Sequence, residues 1–142
     1  MPRILGIDYG ERRIGLAVSD PMGIIARPLK TIDQKLDGDW RASLPAIFRD
    51  QEIGAIVVGY PLNMKGARSP QTDKVDQFIL ALKEITDLPV HTYDERLTSV
   101  AAKRELVRQG IKTGHDKGAI DQTAAALLLQ DYIDAAALRR NN

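Results

Sequence analysis

Three acidic residues stand where a carboxylate can do chemistry. Asp8 follows the apolar run Arg3-Ile4-Leu5-Gly6-Ile7, Glu95 follows Val90-His91-Thr92-Tyr93-Asp94, and Asp121 opens a long stretch of helical periodicity. Ligands of open α/β sheets gather at the carboxyl ends of parallel strands. Asp8 and Glu95 converge there if the first strand is central and parallel to the later ones, and Asp121 reaches the same edge from a helix packed across it. Three carboxylates in one place repel one another, and the cluster is stable when cations sit between them. Oxygen donors without Cys or His suit Mg2+ or Mn2+. Two such ions about 3.5–4 Å apart clamp the attacking and leaving oxygens of a phosphodiester, which is nuclease chemistry. Each acid also has an ordinary reading. Asp8-Tyr9-Gly10 makes a turn, Thr92-Tyr93-Asp94-Glu95 fits a capping box, and Asp121 in a first helical turn favours the helix dipole.

Candidate phosphate contacts surround these acids. Arg13 and Arg96 either pair a phosphate or brace the carboxylates as structural ion pairs. Asn63, in the loop Tyr60-Pro61-Leu62-Asn63-Met64-Lys65-Gly66, either contacts a nucleic-acid backbone or shapes its own turn. From Arg96 to Lys117 there are six basic residues against two acids. Lys103, Arg104 and Arg108 share one helix there and either steer phosphate or form a solvated face. Asp94 is a supporting or alternate ligand beside Glu95.

The elements that position these residues alternate in kind. Arg3–Ile7 and Arg13–Ser19 read as strands joined by the turn Tyr9–Arg12. Asp20-Pro21-Met22-Gly23 is a second turn. Ile24–Ile32 reads as a third strand, with Pro28 marking an edge or a bulge. Asp39–Asp50 has helical spacing at Trp40, Leu44, Ile47 and Phe48, with Asp39 as N-cap and Pro45 discordant. Ile53–Gly59 is apolar on both faces, as a buried parallel strand must be. Val75, Phe78, Ile79, Leu82 and Ile85 mark an amphipathic helix stopped by Leu88-Pro89, and Val90–Tyr93 is a short strand. Thr98–Gln109 and Ala119–Leu138 read as helices, the first ending at the C-cap Gly110. The order β-β-β-α-β-α-β-α-α predicts an α/β fold with a mixed five-stranded sheet, three strands antiparallel and the rest parallel, flanked by helices.

Composition narrows the classes. A chain of 142 residues with 44% hydrophobic and 27% charged residues is expected to fold as a single domain over residues 1–142. There is no cysteine, so thiol catalysis, disulfides and thiolate metal sites are excluded, and a reducing cytoplasm is compatible. His91 and His115 are too few for a histidine cage. The formal net charge of +1 does not announce a nucleic-acid binder, and aromatic residues at 5% argue against binding chiefly by base stacking. No apolar run approaches the roughly 20 residues that span a bilayer, so no membrane partner is expected. The start Met1-Pro2-Arg3-Ile4-Leu5-Gly6, meeting Asp8, does not read as a signal peptide.

Four ordered motifs carry a resemblance. Gly6-Ile7-Asp8-Tyr9-Gly10 with Arg13-Ile14-Gly15-Leu16-Ala17-Val18-Ser19-Asp20 resembles the opening motif of the YqgF (RuvX) family of RNase H-like nucleases. Val58-Gly59-Tyr60-Pro61-Leu62-Asn63-Met64, Asp94-Glu95-Arg96-Leu97-Thr98-Ser99 and Ile120-Asp121-Gln122-Thr123-Ala124-Ala125-Ala126 resemble its second, third and fourth. Any one is weak; four in order over nearly the whole chain are highly specific. The resemblance implies an RNase H-like fold, with Asp8, Glu95 and Asp121 matching the family's acidic positions. It implies a cytoplasmic bacterial nuclease that processes the 5′ end of precursor 16S rRNA within ribosome biogenesis, with assembling ribosomal particles as candidate partners. Branched DNA is the alternative substrate, because the family was first compared with Holliday junction resolvases. A non-catalytic nucleic-acid-binding module and an actin-like phosphoryl-transfer domain are further alternatives. Lys65 and Ala119 depart from the family pattern and touch substrate contacts rather than the three acids. In the expected roles Asp8 bridges two Mg2+ or Mn2+ ions, with Glu95 and Asp121 as further ligands.

Overall fold

Residues 2–97 and 117–140 are described by this computed structural model of the chain. They form β1 (Arg3–Asp8), β2 (Arg13–Ser19), β3 (Ala26–Asp33), α1 (Trp40–Asp50), β4 (Ile53–Tyr60), α2 (Pro70–Ile85), β5 (Val90–Asp94), a 3-10 turn (Glu95–Leu97) and α3 (Lys117–Arg140). The helix expected over Thr98–Gln109, with Lys103, Arg104 and Arg108, lies outside the described residues.

The five strands form one sheet in the order β3-β2-β1-β4-β5. β1 is antiparallel to β2 and parallel to β4, and β4 is parallel to β5. The expected mixed sheet is therefore present, with β1 central. β1, β4 and β5 run the same way, so Asp8, Tyr60 and Asp94 all stand at one end of the sheet.

Both faces are covered, which is why β4 is apolar on two sides. On one face Leu5, Ile7, Ile14, Leu16, Ile56 and Val58 pack with Trp40 of α1 and with Phe78 and Leu82 of α2. On the other, Ala17 and Val57 pack against Ala125, Leu129 and Ile133 of α3. The sheet residues beneath the middle of α3 include Gly6, Ala17 and Val57, and α3 presses close. A Cβ placed on Gly6 would stand 2.8 Å from the Leu129 Cβ.

Element ends follow local chemistry. Asp39 accepts the Arg41 N–H at 2.9 Å and caps α1, as its sequence predicts. Pro28 lies on the edge strand β3, and the β2–β3 register shifts where Ala17 faces Pro28. α2 starts at Pro70, earlier than its apolar periodicity suggests, because Ser69 and Thr72 cap it reciprocally. Two expectations are corrected. Thr92 does not cap a helix; it pairs with Val58 inside β5, and Asp94 takes the capping role by accepting the Arg96 N–H at 2.9 Å. α3 begins at Lys117, two residues before Ala119, so Asp121 lies beyond the first turn and the dipole reading loses most of its force.

Candidate active site

Asp8 is flanked across the sheet by two glycines. Asp8 pairs in register with Gly15 of β2. Ile7 pairs with Val58, which puts Gly59 beside Asp8 on β4. Neighbouring strands lie about 4.8 Å apart, and side chains at laterally paired positions share a face. That face is the one α3 covers. A Cβ on Gly15 would be driven into the Asp121 carbonyl oxygen. A Cβ on Gly59 would stand 2.7 Å from Glu95 Oε1 and 2.9 Å from Leu128 Cδ2. The missing side chains thus let the Asp121 backbone settle over β2 and the Glu95 carboxylate settle over β4, with Asp8 on the strand between them.

Asp8 and Glu95 line one cavity of about 170 Å³ with Tyr9, Gly59, Pro61, Gln71 and Val75. Asp121 is held differently. Its Oδ2 accepts a hydrogen bond from Arg13 Nε at 2.9 Å, and both side chains are largely shielded, at 29% and 20% exposure. Among the described residues no three His, Cys, Asp or Glu side chains stand close enough together to hold a metal ion. What the fold assembles is a carboxylate pair in one cavity, with a third acid across Gly15 bound to an arginine. The two acids that share a cavity offer oxygen donors, the kind a hard divalent cation takes. Every donor is an oxygen, two face one cavity, and the Glu95 carboxylate rests in a cradle that a Cβ at position 59 would fill.

The remaining candidates sort by their contacts. Arg96 grips its neighbour Asp94 with both Nε, at 3.0 and 3.1 Å, and Nη2, at 2.6 Å. These hydrogen bonds hold the Asp94 carboxyl below the usual carboxylate range. The Arg96 Nη1 also lies 2.9 Å from where a Gly66 Cβ would be, and Gly66 has φ +79°. Arg96 thus braces a carboxylate beside Glu95, as one of its two readings has it, and its Nη1 lies near Gly66 of the loop after β4. Asn63 Oδ1 accepts the N–H groups of Lys65 and Ala67, each at 2.9 Å, so its oxygen shapes the loop. Arg68 closes the same loop by donating to the Tyr60 hydroxyl at 3.0 Å and to Asp73 and Asp76 of α2. Lys103 and Arg104 lie outside the described residues.

Sequence reasoning missed two lining residues. Tyr9 stacks on Phe78 at 4.4 Å between ring centroids, and burial pushes its hydroxyl pKa up. Gln71 Nε2 donates to the Tyr9 carbonyl at 3.4 Å, fastening α2 to the turn after β1. The roles of Gly15 and Gly59 had a signal, since a glycine inside a strand marks close approach by another group. Gln71 had none.

Known proteins fit this geometry. The sequence model of the RuvX family, described as Holliday junction resolvase, matches residues 2–135. A protein of Chloroflexus aggregans named "Putative pre-16S rRNA nuclease" is 44% identical over 138 residues, covering 97% of this chain and 95% of its own. A protein of the same name from Ruminiclostridium cellulolyticum is 42% identical over 137 residues, covering 95% and 96%. Among solved structures, Thermus thermophilus RuvC in complex with a Holliday junction substrate aligns with TM-score 0.60 at 19% identity over 96% of each chain. The fowlpox virus resolvase in complex with Holliday junction DNA aligns with TM-score 0.56 at 12% identity, over 94% of this chain and 98% of that one. At these identities the structural likeness speaks for the fold, which is RNase H-like. By the reach of the family match and the identity of its relatives, the chain belongs to the RuvX family of resolvase-like nucleases, hydrolases that act on ester bonds.

Proposed function

We propose that the chain is a divalent-metal-dependent nuclease that hydrolyses RNA phosphodiester bonds at the 5′ end of precursor 16S rRNA, in the cytoplasm, on assembling ribosomal particles. The observation that carries this reading is the pairing of Asp8 and Glu95 in one cavity at the carboxyl end of two parallel strands, with Asp121 across Gly15. The names of the relatives support RNA as the substrate.

Asp8, Glu95 and Asp121 are the residues that would hold Mg2+ or Mn2+. When bound, such ions would neutralise the phosphate oxygens and would polarise a water toward attack on phosphorus. The chain's own residues do the rest. β1 holds Asp8 at the end of the central strand, paired on both sides by β2 and β4. Gly59 leaves room for the Glu95 carboxylate. The Arg96–Asp94 grip fixes the backbone on either side of Glu95. Arg13 carries a guanidinium on the same sheet face and suits a phosphate oxygen.

A second reading, cleavage of a four-way DNA junction, is favoured by the description of the family. It requires two active sites related by a two-fold axis, hence a dimer. A side-by-side assay separates the two. Faster cleavage of 5′-extended precursor 16S rRNA than of a four-way junction supports the RNA reading. Resolution of the junction with inert precursor RNA overturns it. RNA presented in ribosomal particles is expected to be cut faster than free RNA.

A further inference from the structure

The Arg13–Asp121 ion pair joins a third candidate ligand to a cation that the protein itself supplies. Arg13 lies on β2 two residues from Gly15, so its side chain shares the face on which Asp8, Glu95 and Asp121 gather. The contact is a single Nε–H···Oδ2 bond rather than a two-pronged fork. A one-donor pair is easier to part than a bidentate one. The Asp121 backbone lies over Gly15, and Gly15 pairs with Asp8, which brings Asp121 to the strand next to the one that carries Asp8. Arg13 retains 29% side-chain exposure and is not sealed in once released.

We propose that Arg13 is the displaceable counter-ion of Asp121, competing with a divalent cation for that carboxylate and thereby setting the affinity of the site for metal. The proposal rests on the metal-site reading above. Its sign follows from charge. With Arg13 in place, a cation recruited to Asp8 and Glu95 must displace a guanidinium to gain its third ligand. Without Arg13, Asp121 adds its negative charge with nothing to displace. Arg13 is thus a positioning residue for the metal site, and exchange releases its guanidinium on the face where the phosphate is to lie.

The test is Mn2+ binding to the full chain, read by electron paramagnetic resonance of free Mn2+ with no nucleic acid present. Arg13→Gln is expected to bind Mn2+ roughly tenfold more tightly than wild type, Arg13→Lys to stay near wild type because it keeps the charge, and Asp8→Asn to lose binding. In a 15N-labelled sample the Arg13 Nε–H resonance is expected to move on adding Mg2+ to wild type and to stay in place in Asp8→Asn. If binding is lost in Asp8→Asn yet unchanged or weaker in Arg13→Gln, the competition is overturned and the metal site stands. A wild-type chain that binds no Mn2+ overturns both. Should Arg13→Gln fail to fold, an Arg13 resonance that Mg2+ leaves unmoved in wild type overturns the competition by itself.

Discussion

Two glycines decide how close the acids come. At Gly15 the obstacle to any side chain is backbone, the carbonyl of Asp121, and backbone cannot rotate away. At Gly59 the obstacles are the tips of the Glu95 and Leu128 side chains, which can. The same substitution should therefore fail in two different ways. Gly15→Ala should lower stability by about 3 kcal/mol, the upper part of the overpacking range, measured by urea unfolding. Gly59→Ala should keep most of its stability and instead displace the Glu95 carboxylate, so activity falls while the urea midpoint barely moves. Equal stability losses in the two variants would mean that α3 does not lie over β2 as described.

At the scale of elements, two local devices carry testable weight. Ser69 and Thr72 satisfy the first N–H groups of α2 reciprocally, and α2 delivers Gln71 to the cavity. Ser69→Ala should cost about 1 kcal/mol in chemical denaturation. The turn between β2 and β3 is held by Asp20, whose carboxylate accepts the N–H groups of Ile25, Ile24 and Met22. These bonds, that of Ile25 foremost, lower its pKa from the ordinary value. A folded pKa below the unfolded one gives stability that is present above the unfolded value and lost as pH falls through the folded value. Asp20→Asn should therefore flatten the stability curve below about pH 4 and leave its slope near neutrality unchanged. An acid limb identical to that of wild type would remove Asp20 from this role.

The legibility of the elements in sequence followed their physics. Strands β1, β2 and β4 were readable because burial on both faces makes continuous apolar runs, and Asp39 announced α1 by its capping chemistry. The start of α2 was hidden because its first turn, Pro70-Gln71-Thr72-Asp73, carries no apolar periodicity to count. The capping-box reading at Thr92 failed because four residues fit both a strand end and a helix start, and pairing with Val58 decided between them. Asp8 and Glu95 were readable as a pair from strand ends alone. An ion pair from Arg13 to one of the acids was one of its two readings; that the acid is Asp121 was not legible, since it depends on where α3 lies over β2.

For the whole molecule, the consequence of the topology is that one end of the sheet collects three acids from remote parts of the chain. β1 supplies Asp8 at the centre, the turn after β5 supplies Glu95 over β4, and α3 supplies Asp121 over β2 on the same face. Among the described residues no helix is long and apolar enough to cross a membrane. The measurement that tests this centre most directly is cleavage of a 5′-extended precursor 16S rRNA fragment by purified wild type and by Asp8→Asn, Glu95→Gln and Asp121→Asn, with Mg2+ present or chelated. Wild type is expected to cut only with the metal, and each variant to lose about a thousandfold in rate while remaining folded at the assay temperature. Cleavage that persists in a purified, folded triple variant would contradict the assignment of these three acids.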